Sequence, residues 1–155
     1  MTGKVVSLLT GAIALSFALS GCLFNTPDRA IKRFIGHLKD MQWDSMAELV
    51  DWPQTAQYMP GFPEANEGEE DRKKEIMMQI AENWTRFPVR QKTADQIRHE
   101  FLYLRISRLK RMRDSKNWAW MDVKITLDAR AKEVKILVMK INRLWRVVLT
   151  DSVFQ

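Results

Sequence analysis

Trp118-Ala119-Trp120-Met121-Asp122-Val123-Lys124-Ile125-Thr126-Leu127 alternates between two residue sets along its whole length. Ala119, Met121, Val123, Ile125 and Leu127 form one apolar face, and Trp118, Trp120, Asp122, Lys124 and Thr126 form the other. Successive side chains on a strand point to opposite sides, so this pattern predicts a β-strand and excludes an amphipathic helix. Asp114-Ser115-Lys116-Asn117 bounds it as a turn on one side, and Asp128-Ala129-Arg130 on the other. Downstream, Val134 to Ile141 and Leu144 to Thr150 flank Asn142-Arg143, which reads as a tight hairpin turn. Asn suits such a turn, although Arg is less usual than Gly in its second position. Upstream, Leu102, Leu104 and Ile106 alternate with Tyr103, Arg105 and Ser107, which predicts a first strand. Leu109 is out of step with Ile106, placing a bulge near Ser107-Arg108. A helix over Ala94 to Met112 is the competing reading. Four strands joined by short turns make an antiparallel meander.

The periodicity before Pro88 is helical. Thr26-Pro27-Asp28 supplies an N-cap, a first-turn proline and a first-turn acid. Ala30, Ile31, Phe34, Ile35, Leu38 and Met41 then form one stripe, opposite Lys32, Arg33, Lys39 and Asp40. Asp44 is suited to cap a short second helix carrying Met46, Ala47, Leu49 and Val50, which Asp51-Trp52-Pro53 breaks; Gln54 to Met59 adds a further turn. Residues 60–70 are rich in Pro, Gly and acid, with Phe62 the single aromatic, and read as a solvated loop; a lid over a pocket is the sharper alternative. A third helix from Asp71 presents Ile76, Met77, Ile80, Trp84 and Phe87 and stops at Pro88. The fold class is therefore α+β: three N-terminal amphipathic helices packed on a twisted four-stranded antiparallel meander, spanning residues 26–155.

The amino end carries a different signal. Lys4 precedes an apolar run from Val5 that closes on Leu19-Ser20-Gly21-Cys22. A basic start, a short hydrophobic run and small residues before a cleavage point read as a secretory signal. The run is shorter than the ~20 residues a membrane-spanning helix needs. With cysteine at its end, the stretch resembles the lipobox of bacterial lipoprotein signal peptides. That resemblance implies that residues 1–21 are a signal peptide cleaved between Gly21 and Cys22. It also implies that Cys22 carries thioether-linked lipid and an acylated amino group, and that residues 22–25 are a very short tether. Leu23, rather than Asp, after the cysteine implies the periplasmic leaflet of the outer membrane in a diderm host. An extended chain from Cys22 to Thr26 reaches roughly 10–14 Å, so the domain is expected to ride close to the headgroups.

A second resemblance covers both ends of the remaining chain. Thr26 to Ile35 with Asp40 to Ala47, and the closing hairpin Val138 to Val148, are similar to small lipoproteins with a nuclear-transport-factor-two-like, or cystatin-like, domain. The resemblance implies a curved, cone-like sheet wrapped on helices, often dimeric and often with a pocket in the cone, with a tryptophan of the last hairpin entering the core. Catalytic members of that superfamily place an Asp or a His–Asp pair in the cone. Here the histidines are His37 and His99 alone, and Asp122 alternates with the inward residues and should face outward. His37 borders the first stripe and reads as a half-buried packing residue. No His-x-x-x-His, cysteine pair, Gly-x-Ser-x-Gly or glycine-rich phosphate loop occurs. No cofactor or metal is implied, and an enzyme using the cone as isomerase or hydrolase is the least favoured function.

Composition narrows the remainder. Lys4 is the sole charged residue among 1–21, so 25 basic and 19 acidic side chains become 24 and 19 in the remaining 134 residues, an excess of +5. The single cysteine is the lipidation candidate, so hydrophobic burial rather than a disulfide must hold the domain. Nucleic acid is not an expected partner for an exported protein. The basic run Arg105, Arg108, Lys110, Arg111, Arg113 and Lys116 is a candidate surface for anionic lipid or cell-wall polymer. Trp118, Trp120, Leu137 and Met139 lie opposite the expected core face, where an antiparallel sheet normally keeps polar residues, and are the candidate interface for a partner chain, a homodimer being one case. The function expected is a membrane-anchored, non-catalytic envelope lipoprotein serving as a binding or assembly module for a protein or small ligand. The alternative is a structural component that meets lipid or polymer through its basic face.

Overall fold

The computed structural model describes residues 25–155. The proposed signal peptide, Gly21 and Cys22 lie outside the described residues. Helices occupy the first part of the chain: α1 Pro27–Lys39, α2 Trp43–Glu48, α3 Trp52–Tyr58, α4 Glu70–Thr85 and α5 Ala94–Phe101. The sheet follows, with β1 Arg105–Asp114, β2 Trp118–Leu127, β3 Arg130–Ile141 and β4 Leu144–Val148 in spatial order β1-β2-β3-β4. Every pairing within it is antiparallel, so the α+β class and the four-stranded meander are as the alternation predicts.

Local chemistry accounts for most boundaries. Thr26 caps α1, its hydroxyl oxygen accepting the Arg29 N–H at 3.3 Å, and the buried face is the expected stripe Ala30, Ile31, Phe34, Ile35 and Leu38. Asp51 does more than end a helix: its carboxylate accepts the Gln54 N–H at 2.9 Å and starts α3. Asn142 and Arg143 both hold positive φ, 50° and 68°, as a two-residue turn between right-twisted strands requires. Register shifts fall between Ile106 and Arg108, where the bulge was expected, and again between Arg111 and Arg113.

The helical part is more finely divided than the periodicity suggests. Trp43, not Asp44, opens α2, and Gln42 precedes it without a side-chain cap. Residues 94–101 are helical because Thr93 and Gln96 make a reciprocal capping box. The strand then begins at Arg105; Leu104 is buried while Leu102 is 56% exposed, so the Leu102–Ile106 alternation overstated its length.

The helices cover the inner face of the sheet. Ala119, Met121, Val123, Ile125, Leu127, Val134, Ile136, Val138 and Val147 are all buried there, in one cluster with Phe34, Met46, Met77, Ile80 and Trp84. Phe34 and Trp84 meet edge to face at 6.0 Å. The chain between α2 and α3 protects the β4 edge: Val147 donates to the Leu49 carbonyl and accepts from the Asp51 N–H, both at 2.9 Å, making a parallel bridge with Val50.

The acidic loop is fastened rather than hinged. Phe62 packs edge-on against Phe154 at 5.8 Å, and Pro63 is buried. The Asn66 side-chain oxygen accepts the Trp52 N–H at 3.0 Å, and its backbone carbonyl accepts from Lys73 Nζ at 2.9 Å. Arg72 also donates to the Gly61 carbonyl. Its acids remain in solvent, as the loop reading requires, but these anchors argue against a lid.

Candidate functional site

Two surfaces carry the side chains singled out above. The first is the outer face of the sheet. Trp118 stands opposite Met139 and Trp120 opposite Leu137 across the β2–β3 ladder, so all four candidate interface residues share one face. Leu137 and its β4 neighbour Val148 are buried, yet they lie outside the main core cluster. Around them Trp118, Trp120 and Met139 remain half-buried. Together with Tyr58 from the end of α3 they line a shallow hollow of about 200 Å³. Tyr58 is 48% exposed, and no sequence period links it to the sheet; its place comes from α3 running past β4. A neighbouring groove of about 390 Å³ joins Trp120 to Met112, Arg113, Lys135 and Ser152. Met112 is exposed because the second bulge of β1 lifts it out of register.

Asp122 also lies on this outer face, as expected, where Arg108 Nη2 donates to its carboxylate at 3.0 Å. The proposed basic run is accordingly not one free patch. Arg108 is paired with Asp122 and Glu133, and Arg111 reaches Asp28 at the start of α1 at 2.5 Å. Arg105 sits at the other end of β1, opposite Thr126, while Lys110 and Arg113 lie opposite Asp122 and Trp120. Lys116 occupies the β1–β2 turn. The antiparallel register thus spreads these six residues along the strand and sets acids among them.

The second surface lies where the described chain begins. Asn25 is held by the β3–β4 hairpin: its amide nitrogen donates to the Arg143 carbonyl at 2.5 Å, and its oxygen accepts the Trp145 N–H at 3.2 Å. The β1–β2 turn is at the same end, since the Lys140 N–H donates to the Asn117 carbonyl at 2.7 Å. Between α1 and the hairpin runs a groove of about 390 Å³ lined by Asn25, Arg29, Ala30, Arg33, Leu49, Leu144 and Trp145. Glu48 and Arg146 extend it. Arg146 is committed to the fold, its Nη2 donating to the Glu48 carbonyl at 2.7 Å and its Nε lying 4.0 Å from the Asp51 carboxylate. Arg33 has no ion-pair partner among the described residues, and Leu144 is 53% exposed. Trp145, in the last hairpin, is half-buried and packs against the core.

The chemical candidates do not converge. The His37 ring Nδ1 is 2.8 Å from the Gln42 side-chain oxygen, and His99 is exposed on α5. No group of three or more His, Cys, Asp or Glu able to hold a metal occurs among the described residues. The perturbed titrations belong to a structural pair. Arg90 donates through its backbone N–H, Nε and Nη2 to Glu82, and Nη1 reaches Glu75 at 2.5 Å. The hydrogen bond from the Arg90 guanidinium holds the Glu82 carboxyl below its usual range, and Arg90 is held further cationic in return. No described helix is long and apolar enough to cross a membrane. No known protein family matches the chain, and no curated protein matches it in sequence.

Proposed function

We propose that this protein is a membrane-anchored, non-catalytic envelope lipoprotein, held by acyl chains on Cys22, whose folded domain serves as a binding or assembly module. The observation that carries the module reading is the aromatic outer face of the sheet, where Trp118, Trp120, Leu137, Met139 and Tyr58 surround one hollow. At about 200 Å³ that hollow is smaller than the roughly 300–1,000 Å³ of small-molecule sites, and it suits a partner side chain better than a metabolite. Exposed aromatics ringed by polar residues are the composition of protein interfaces. The filled inner face supports the non-catalytic reading, because a cone-pocket isomerase or hydrolase needs open space where Met121, Ile136 and Val138 are packed. The simplest partner is a second copy, sheet face to sheet face.

Two measurements on the full chain test this. Mass analysis of the amino-terminal peptide from envelope membranes should find acylated Cys22, and Cys22→Ala should leave the protein unacylated; an unmodified Cys22 would remove the anchor from the reading. Sedimentation equilibrium in a neutral detergent should give a dimer that Trp120→Arg shifts to monomer at least tenfold more readily. A monomer at high concentration would rule out self-association. A second reading, membrane contact, is favoured by one observation: Asn25, three positions beyond Cys22, is bonded to the end of the sheet that carries Lys116, Lys140 and Arg143.

A further inference from the structure

The groove between α1 and the β3–β4 hairpin combines three features. It is amphipathic: Leu49, Leu144 and Trp145 supply apolar wall, while Arg29 and Arg33 supply guanidinium groups from successive turns of α1. It is biased in charge, since Arg29, Arg33 and Arg146 line it and Glu48 is the one acid lining it among the described residues. It is placed at the chain's entry, because Asn25 both lines the groove and is bonded to the hairpin. Only Leu23 and Phe24 lie between Asn25 and Cys22, and three residues span at most about 10 Å. Arginine forks match phosphate oxygens, and tryptophan favours the boundary between headgroups and acyl chains.

We infer that this groove binds the phosphate headgroup of an anionic phospholipid, with Arg33 as the phosphate-reading residue and Leu144 and Trp145 lying against the adjoining acyl chain. The inference rests on the Cys22 anchor only for what brings the lipid within reach; the recognition belongs to the groove. It also differs from the basic run of β1, two of whose arginines are already paired within the fold. Bound in this way, a lipid would fix the rotation of the domain about its short tether and leave the aromatic sheet face free for a partner.

The test is a titration of the full-length protein in dodecyl maltoside, followed by the indole N–H resonance of Trp145, identified as the signal lost in Trp145→Phe. The probes are dihexanoyl-phosphatidylglycerol, dihexanoyl-phosphatidylcholine and inorganic phosphate. The expected result is a saturable shift with phosphatidylglycerol, at least fivefold weaker with the other two probes. Arg33→Gln should weaken it at least fivefold, and Arg105→Gln with Lys110→Gln should leave it unchanged. Circular dichroism melts establish that each variant is folded. An equal response to phosphatidylcholine would overturn recognition of an anionic headgroup, and an equal response to inorganic phosphate would overturn the lipid in favour of a free-anion site. Failure of Arg33→Gln to weaken the shift would overturn the residue assignment. The amino-terminal peptide mass separates the two readings: acylated Cys22 with no shift overturns the groove, whereas unmodified Cys22 with the shift intact overturns only the anchor.

Discussion

Lys73 is 1% exposed beneath the 60–69 loop, donating to the Asn66 carbonyl, with its Nζ 5.5 Å from the centre of the Trp52 ring. Lysine is almost never so deeply buried without a partner, and here a loop carbonyl and an aromatic face meet that need. Lys73→Met keeps the stem's packing but leaves the Asn66 carbonyl without its donor. We expect a loss of about 1–3 kcal/mol in urea unfolding, with faster amide exchange confined first to residues 61–69. Glu82 gives the second residue-scale prediction. Its folded-state pKa lies below the ordinary 4.5, chiefly through the hydrogen bond from Arg90. The resulting stabilisation is therefore complete above the unfolded pKa and is lost as pH falls through the lower folded value. Glu82→Gln should melt below the wild type at neutral pH, and the gap should close as both are acidified below pH 4.5. A gap of constant size in calorimetric melts from pH 7 to pH 2 would show that the pair contributes nothing through ionisation.

At the scale of elements, the end of α4 is held under local strain. Arg86 takes φ 55° and ψ 27° as its C-cap, a left-handed conformation that costs an ordinary side chain and suits glycine. Arg86→Gly should stabilise the protein by about 0.5–1 kcal/mol and raise the calorimetric Tm by a few degrees, because no ion pair of Arg86 occurs among the described residues. Most elements were legible from their own residues: the strict alternation of β2, the stripe and N-cap of α1, the Ser107-Arg108 bulge and the Asn142-Arg143 turn all act within a few residues. α5 was legible in principle, since Thr93 and Gln96 spell a capping box, but the alternation of Leu102, Leu104 and Ile106 competed with it. Eight helical residues carrying only Ile97 and Phe101 on the buried side make too short a stripe to outweigh that alternation.

Among the described residues, the sheet has one face closed by helices and the other partly apolar and open. That both faces of the late strands are apolar was readable, because period-two alternation failed in β3, where Ile136, Leu137 and Val138 are all buried. The candidate interface could therefore be named from sequence, although Tyr58 could not be added to it. The basic run was equally visible, but its pairing was not: Arg111 meets Asp28 across 83 residues and Arg108 meets Asp122 across 14. By itself the sequence determined the class, the strand order and the main helix stripe, all properties of residues near one another along the chain. Only the tertiary structure decided that Val50 closes the β4 edge, that Lys73 is buried, and that Asn25 docks on a hairpin 118 residues away beside a basic, amphipathic groove. Those contacts arise when packing of the apolar faces brings distant segments together, and no local period or cap encodes which segments will meet.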